Sequence, residues 1–263
     1  QKIKANNESL KFENIRLSAE LDLTRRIQEM LLPNKWELEQ FLELDIAAFM
    51  ESAAEVGGDY YDVFKTGNSI IVAIGDVTGH GLESGVVMIM IQTIVRTLLA
   101  VKYTEKGRFF EILNGVIYDN LQRMNCDKNA TFLLLEYEEH SQITIAGQHE
   151  EVIIVRNDGQ VEQVDTVDLG FPLALVDSII DFVGQAKFQL NPGDVVVLYT
   201  DGVTEAWNDN QEPYNLERMV KVIKNNHWKT AQEINAAVIK DLRLYMGEHK
   251  VYDDITLVVI KQK

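Results

Sequence analysis

GGDYYDVFKTGNSIIVAIGDVTGHG, residues 57–81, contains two apolar runs that are separated by the dipeptide Gly67-Asn68. This dipeptide is typical of a two-residue hairpin loop, which fixes the register of the strands on either side of it. Opposed residues then have numbers that sum to 135, which places Asp59 opposite Asp76. The stretch therefore predicts an antiparallel hairpin with two carboxylates facing each other at one end.

A second set of acidic positions lies toward the C-terminus. Asp201 ends an apolar run over 194–200, and Asp253 and Asp254 begin another run over 255–261. If these runs are neighbouring antiparallel strands, their acidic ends coincide.

Paired carboxylates predict bound cations. Directly opposed residues have Cβ atoms roughly 4.5–5.5 Å apart, and like charges there are destabilising unless a cation lies between them. Oxygen ligands select hard ions such as Mg²⁺ or Mn²⁺, and no His or Cys cluster favours Zn²⁺. Two ions roughly 3.5–4 Å apart can lower the pKa of a water and orient a phosphoryl group. The pattern therefore predicts a two-metal site that hydrolyses a phosphate ester.

Composition narrows the class of protein. The 263 residues are 46% hydrophobic, which suffices for one large domain or a domain with an appendage. A formal net charge of −16 disfavours nucleic acid as a partner. The single cysteine, Cys126, excludes an intramolecular disulfide and fits a reducing cytosol. We therefore expect a cytoplasmic globular protein.

No uninterrupted apolar run reaches the ~18 residues that a membrane span needs. The stretch 86–101 comes closest, but Gln92 and Arg96 interrupt it, so a buried core helix is the better interpretation. The sequence begins with Gln1 and lacks a secretory signal pattern, so we expect a piece of a longer protein.

Residues 1–32 have the composition of one long helix, and Pro33 supplies a stop. Their heptad seam is only partly apolar, with Ile3, Leu10, Leu17, Thr24 and Leu31 at one position and Asn7, Asn14, Leu21 and Gln28 at the other. Two interpretations stay open. The helix forms a weak coiled coil that makes a homodimer, or it packs on its own domain.

Periodicity after Pro33 predicts alternating blocks of strands and helices. Strands are predicted at about 44–50, 60–66, 69–76, 131–137, 142–146, 151–156, 160–165, 186–190, 194–200 and 255–261. Helices are predicted at about 82–101, 107–124, 215–225 and 230–246. Hairpin-like turns between the strands favour antiparallel sheets, so the fold class is α+β, with two sheets and helices packed outside them.

Four motifs in this order resemble the metal-dependent protein phosphatases of the 2C type, in their bacterial SpoIIE/RsbU-like branch. They are Gly57-Gly58-Asp59-Tyr60-Tyr61-Asp62, Gly75-Asp76-Val77-Thr78-Gly79-His80-Gly81, Tyr199-Thr200-Asp201-Gly202-Val203-Thr204-Glu205 and Asp253-Asp254-Ile255-Thr256. The likeness covers about residues 40–262. It implies an αββα sandwich over 33–263 that hydrolyses phosphoserine or phosphothreonine with two Mn²⁺ or Mg²⁺ ions.

The resemblance also implies roles for individual residues. Asp76 bridges both metals, and Asp59 and the Val77 carbonyl bind one of them. Asp201 and Asp253 bind the other, and Asp254 is an alternative or additional ligand. The catalytic water would lie between the ions, positioned by Asp59 and Asp76.

This chain departs from the family pattern at several positions. Thr78 stands where eukaryotic relatives have a histidine, and no phosphate-binding arginine matches by position. His80 either orients phosphate or water or holds the loop before the following helix. Asp62 is a secondary candidate, because its predicted strand partner is Ala73 rather than an acid.

The resemblance suggests partners as well. A phosphorylated STAS-type anti-sigma-factor antagonist in a bacterial partner-switching pathway is the expected substrate, and an upstream sensory or response-regulator domain the expected regulator. A catalytically weak binding module and a small-phosphoester hydrolase are the two alternative functions.

Overall fold

The computed structural model describes residues 16, 24–53, 56–103 and 105–263. Two five-stranded sheets form the centre of the fold, and every strand pairing among these residues is antiparallel. The strands are β1 Leu44–Glu51, β2 Tyr60–Thr66, β3 Ser69–Val77, β4 Ala130–Tyr137, β5 Gln142–Gln148, β6 Val152–Val155, β7 Val161–Val164, β8 Ala186–Gln189, β9 Val195–Tyr199 and β10 Ile255–Gln262.

The first sheet has the strand order β1-β10-β9-β6-β7, and the second has the order β2-β3-β4-β5-β8. The helices are α1 24–31, α2 Lys35–Glu39, α3 Leu82–Ala100, α4 Lys106–Met124, α5 Asp201–Thr204, α6 Leu216–Lys224 and α7 Ala231–Met246.

Successive side chains along each strand point to opposite faces of its sheet, which explains how the layers of the fold pack together. In β3, Ile70, Val72 and Ile74 belong to the core between the sheets, while Ile71 and Ala73 face the outer layer that contains α3 and α4. The helices α6 and α7 cover the outer face of the first sheet. Because both faces of each sheet are covered, the central strands are apolar on both sides. The predicted α+β sandwich is therefore confirmed.

Helix α3 shows why a core helix can resemble a membrane span. Among the described residues, it is the one helix that is long and apolar enough to cross a bilayer, yet half of its apolar window is buried in the protein. The outer face of the second sheet receives its side chains, including Val87, Ile91 and Val95. The interpretation of this segment as a core helix agrees with that packing.

All ten predicted strands and all four predicted helices are present, each to within two residues at either end. Two short α-helices were missed. One is α2, whose capping box between Asn34 and Glu37 is visible in the sequence. The other is α5, a single turn that immediately follows β9.

The N-terminal segment is described only in part. Residues 24–31 are helical. The heptad predicted over 1–32 falls mainly on residues outside the described part of the chain, so the coiled coil and the domain boundary at Pro33 stay predictions.

Candidate metal centre

The predicted hairpin register is confirmed. Tyr60 pairs with Gly75 across β2 and β3, so the next position outward places Asp59 opposite Asp76. Burial first, and then the neighbouring carboxylates of Asp76 and Asp254, hold the pKa of Asp59 well above its usual range. A buried acid and a half-buried acid that repel each other are thus present at the end of this hairpin.

The second acidic set joins the same neighbourhood. The strands β9 and β10 are antiparallel neighbours, so Asp201 just after β9 lies near Asp253 just before β10. Burial, followed by the charge of Asp253, raises the pKa of Asp201 to about 6. Burial, followed by Asp201 and Asp253, raises the pKa of Asp76 to about 8. The acids of both sheets therefore share one electrostatic environment.

Asp253 and Asp254 differ sharply in their surroundings. Asp254 is buried, and its carboxylate accepts backbone N–H bonds from Ala53 at 2.7 Å, Gly58 at 2.5 Å and Asp59 at 3.4 Å. Asp253 is exposed, and one of its oxygens accepts the N–H of Asp254 at 2.9 Å. The geometry thus assigns Asp254 to holding the loop before β2 and leaves Asp253 as the more accessible of the two carboxylates.

Two threonines that the sequence reasoning missed fix Asp59. The hydroxyls of Thr200 and Thr256 both donate to its Oδ2, at 2.8 and 2.5 Å. Both threonines are buried and come from the first sheet, whereas Asp59 precedes a strand of the second. Thr200 directly precedes Asp201, and Thr256 follows Asp254 by two residues. Their positions within the quoted motifs were the feature of the sequence that could have identified them.

Two glycines permit close approach of the loops. A Cβ on Gly58 would lie 2.5 Å from the carbonyl oxygen of Val77, and a Cβ on Gly202 would lie 2.0 Å from that of Asp254. Real Cβ atoms do not approach a backbone oxygen so closely, so larger residues would push these loops apart. The Val77 carbonyl thus lies against the loop that carries Asp59.

Gln28 links the N-terminal helix to this loop. Its side-chain amide donates to the Gly57 carbonyl at 2.6 Å and accepts the Gly57 N–H at 3.2 Å. The side chain is buried, and Gly57 lies two residues before Asp59. Nothing in the heptad pattern singled out this contact, because Gln28 occupied an ordinary seam position.

His149 joins the two sheets near the same centre. Its Nε2 lies 2.9 Å from the Tyr199 carbonyl, and its Nδ1 lies 2.7 Å from the Thr131 hydroxyl. Burial lowers the pKa of His149 to about 4, so the ring is neutral at pH 7. Nε2–H then donates to the carbonyl, and Nδ1 accepts from Thr131, the β4 residue opposite Asp76.

A pH prediction follows for His149. Because its pKa is lower in the folded chain than the ordinary value of about 6.5, the unfolded state binds more protons. We expect this residue to reduce the free energy of unfolding as pH falls from about 6.5 to 4, by up to about 3 kcal/mol. Denaturant titration of wild type and His149→Gln at several pH values isolates this slope.

The exposed His140 provides the control, because it lies in a turn with a positive φ that asparagine tolerates. His140→Asn should keep the wild-type pH slope. Equal slopes in wild type and His149→Gln would contradict the assignment of a neutral buried ring.

The two secondary candidates have different surroundings. Asp62 lies between Tyr61 and Val63, whose side chains face the core between the sheets, so its own side chain faces the opposite side of β2. There it is buried against α3, and Arg96 on that helix donates to both carboxylate oxygens at 3.1 and 3.3 Å. This bidentate pairing gives Asp62 a structural contact on the outer face of the second sheet. His80 is exposed in the loop that precedes α3.

The donor set fits hard divalent ions. Within residues 16, 24–53, 56–103 and 105–263, no three His, Cys, Asp or Glu side chains converge into a ready-made ligand group. Magnesium typically keeps several waters and uses only one or two carboxylates, so separated carboxylate pairs suit a hydrated ion better than a closed cage. The buried, mutually repelling aspartates provide the negative charge that such ions would neutralise.

Comparisons with solved structures place this sandwich in a known class. It superposes on the SiaA-PP2C domain of Pseudomonas aeruginosa with a TM-score of 0.80 at 18% identity, covering 95% of this chain and 99% of that one. The catalytic domain of the serine/threonine phosphatase PstP, solved with two manganese ions, matches with a TM-score of 0.61 at 15% identity and covers 83% and 98% of the two chains. The fold is that of a PP2C-type phosphatase domain.

The sequence comparisons are more specific. The chain belongs to the family described as stage II sporulation protein E (SpoIIE), whose sequence model matches residues 66–263. It is 28% identical over 253 residues to the phosphoserine phosphatase RsbU of Bacillus subtilis, which covers 94% of this chain and 71% of that protein. The predicted membership of the SpoIIE/RsbU-like branch, and with it of a family of phosphatases, is confirmed.

Proposed function

We propose that this chain is a metal-dependent protein phosphatase that hydrolyses phosphoserine or phosphothreonine. The observation that carries the proposal is the shared environment of Asp76, whose pKa is raised to about 8 by burial and then by Asp201 and Asp253. Acids gathered in this way from two sheets cost folding energy unless they bind cations. The similarity to RsbU and to PP2C-type domains supports the same activity.

The proposed ligands for two Mn²⁺ or Mg²⁺ ions are Asp59, Asp76 and the Val77 carbonyl on the hairpin, with Asp201 and Asp253 at the β9–β10 end. When bound, these ions would lower the pKa of a water between them and neutralise charge on the phosphoryl oxygens. PstP, solved with two manganese ions, supports this number.

The surrounding residues position these ligands. Because Thr200 and Thr256 donate to one oxygen of Asp59, they favour its ionised form and leave the other oxygen to face the centre. Asp254 fixes the backbone of Gly58 and Asp59. Such a supporting shell holds ligand geometry within the small tolerance that catalysis requires.

We propose a phosphorylated STAS-type protein of a partner-switching pathway as the substrate and the cytoplasm as the location. The name of RsbU, a phosphoserine phosphatase, supports phosphoserine as the phosphorylated residue. An upstream sensory domain would act through residues 1–32, which would also form the homodimer. Light scattering of a chain that begins at Pro33 tests this, since self-association equal to that of the full chain would contradict the helix as dimeriser.

The activity is tested with para-nitrophenyl phosphate and a serine-phosphorylated STAS-domain protein, each with Mn²⁺ and with EDTA. We expect Mn²⁺-dependent release of phosphate from both, with a larger kcat/KM for the phosphoprotein. Equal rates with EDTA, or no release from either substrate, would contradict the proposal. Activity on a metabolite that exceeds activity on phosphoproteins would favour a small-phosphoester hydrolase.

The contact of Gln28 with Gly57 leads to a further prediction. Gln28→Met keeps the side-chain size but removes both hydrogen bonds, leaving buried backbone groups of Gly57 unpaired. We expect the Mn²⁺-dependent kcat on the small ester to fall about tenfold, because the loop before Asp59 loses its support.

The matched control is Arg25→Met on the same helix, whose side chain is exposed and pairs with Glu29. It should retain the wild-type kcat. If Gln28→Met also retains it, the helix does not position the loop.

A further inference from the structure

A cleft of about 470 Å³ opens beside the candidate metal centre. Gly202 and Asp253 line it, so one end of the cleft is the rim of that centre. Met246 and Ile255, both buried, contribute apolar surface to its floor. The cleft is therefore a partly apolar concave surface that continues directly from the proposed reaction site.

Two large aromatic side chains in the cleft are unusually exposed. Trp207 is 49% exposed and Tyr252 is 68% exposed. A single exposed aromatic residue needs no explanation, but two that line one concave surface beside a reaction site mark a binding surface. Tryptophan and tyrosine are also the residues most enriched among those that dominate the energy of protein interfaces.

The backbone of Trp207 is held in place by the turn that contains it, although the side chain is half-exposed. It forms a β-bridge with Pro213, and inside this bridge the Asn208 N–H donates to the Glu212 carbonyl at 3.1 Å. The Tyr245 hydroxyl on α7 lies 3.2 and 3.0 Å from the carbonyls of Glu212 and Pro213. The turn over residues 207–213 is thus attached to α7. A partner that contacts Trp207 would therefore lose little conformational entropy in ordering this turn.

A side-chain contact joins two of the segments that border the cleft. His249 Nε2 lies 3.2 Å from Asp209 Oδ1, which connects the turn over residues 207–213 to the segment after α7. Toward the metal centre, the exposed Glu205 lines the cleft, and Glu150 lies close enough that burial and then neighbouring acids raise its pKa to about 6. Lys250 contributes positive charge to the lining. The end nearest the metal centre is therefore acidic.

We propose that this cleft binds the segment of the phosphoprotein substrate that flanks the phosphorylated serine. The segment places one large apolar side chain between Trp207 and Tyr252, and a lysine or arginine near Glu205. Extended chain advances roughly 3.3 Å per residue, so a residue a few positions from the phosphoserine reaches the cleft while the phosphate occupies the metal centre. This inference rests on the proposed function, because it assumes that the phosphate is attached to a protein.

The test compares two substrates in the same variants. Trp207→Ala should lower the ratio of kcat/KM for a serine-phosphorylated STAS-domain protein to kcat/KM for para-nitrophenyl phosphate by about tenfold or more, mainly through KM for the protein. Tyr252→Ala should change the ratio in the same direction, and Trp207→Phe should restore most of it. The small ester lacks the peptide that flanks a phosphoserine, so its own kcat/KM should change little in these variants.

Trp228→Ala is the matched control, because Trp228 is 64% exposed and packs edge-to-face against His227 beside the start of α7 rather than in the cleft. It should keep the wild-type ratio. Far-UV circular dichroism identifies variants that do not fold. If Trp207→Ala does not fold, the proposal is tested with Trp207→Phe and Tyr252→Ala instead.

A wild-type ratio in both folded alanine variants would overturn the docking proposal. A wild-type chain that hydrolyses the ester but not the phosphoprotein would also overturn it, while leaving metal-dependent phosphatase chemistry intact. A chain that hydrolyses neither substrate contradicts the proposed function itself.

Discussion

Asp76→Asn is expected to lower kcat/KM for phosphate esters by at least about 10²-fold, the loss associated with a central electrostatic element. The carboxylate lies opposite Asp59 and shares its environment with Asp201 and Asp253, so it lies beside acids of both sets. Asparagine keeps the size of the side chain but removes the charge that two cations would require.

The same substitution should have the opposite effect on stability. In EDTA, Asp76→Asn should unfold at a higher temperature than wild type, because it removes one of several buried acids that repel one another. Thermal unfolding followed by circular dichroism measures this. A variant that merely misfolds would lose both activity and stability.

The matched control lies on the same hairpin. Asp62→Asn also removes a buried carboxylate, but this one faces α3 and pairs with Arg96. It should lose stability and keep its kcat per folded molecule within about twofold, since its contact is away from the reaction site. Wild-type kcat/KM in Asp76→Asn would refute the bridging role of Asp76.

Asp254→Ala is expected to lower the free energy of unfolding by about 2–5 kcal/mol. The buried carboxylate accepts N–H bonds from Ala53, Gly58 and Asp59, and hydrogen bonds to a charged group contribute about 1.5–3 kcal/mol each. Alanine would leave these donors unpaired. Urea titration in EDTA measures the loss without any contribution from bound metal.

The neighbouring residue provides the comparison. Asp253→Ala removes an exposed carboxylate and should change the metal-free stability by less than about 1 kcal/mol, while strongly reducing Mn²⁺-dependent turnover. Equal losses of stability in the two variants would contradict the assignment of a structural role to Asp254 and a metal-binding role to Asp253.

The hairpin was predictable because its information is local. A two-residue loop at Gly67-Asn68 fixes the register, so the pairing of Tyr60 with Gly75, and with it the opposition of Asp59 and Asp76, followed from counting residues. The same register paired Asp62 with Ala73 rather than with an acid. Such patterns depend only on the periodicity of an extended chain.

The supporting contacts were not predictable in the same way, because they depend on how distant segments meet. Gln28 is 29 residues from Gly57, and Thr200 is 141 residues from Asp59. Neither spacing follows from secondary structure. The sequence also could not show which of the adjacent residues Asp253 and Asp254 supports the loop before β2, because that depends on which carboxylate is buried. His149, the histidine that joins the sheets, is 18 residues from Thr131 and 50 residues from Tyr199, so its contacts likewise depend on the tertiary structure.

The central claim is that the two acidic sets together bind two divalent ions. Isothermal titration calorimetry of the metal-free chain with Mn²⁺, followed by the same titration of Asp76→Asn, tests it without reference to turnover. We predict two ions per wild-type chain and weaker binding or fewer ions in the variant. No Mn²⁺ binding by wild type, or an unchanged isotherm in Asp76→Asn, would contradict the claim.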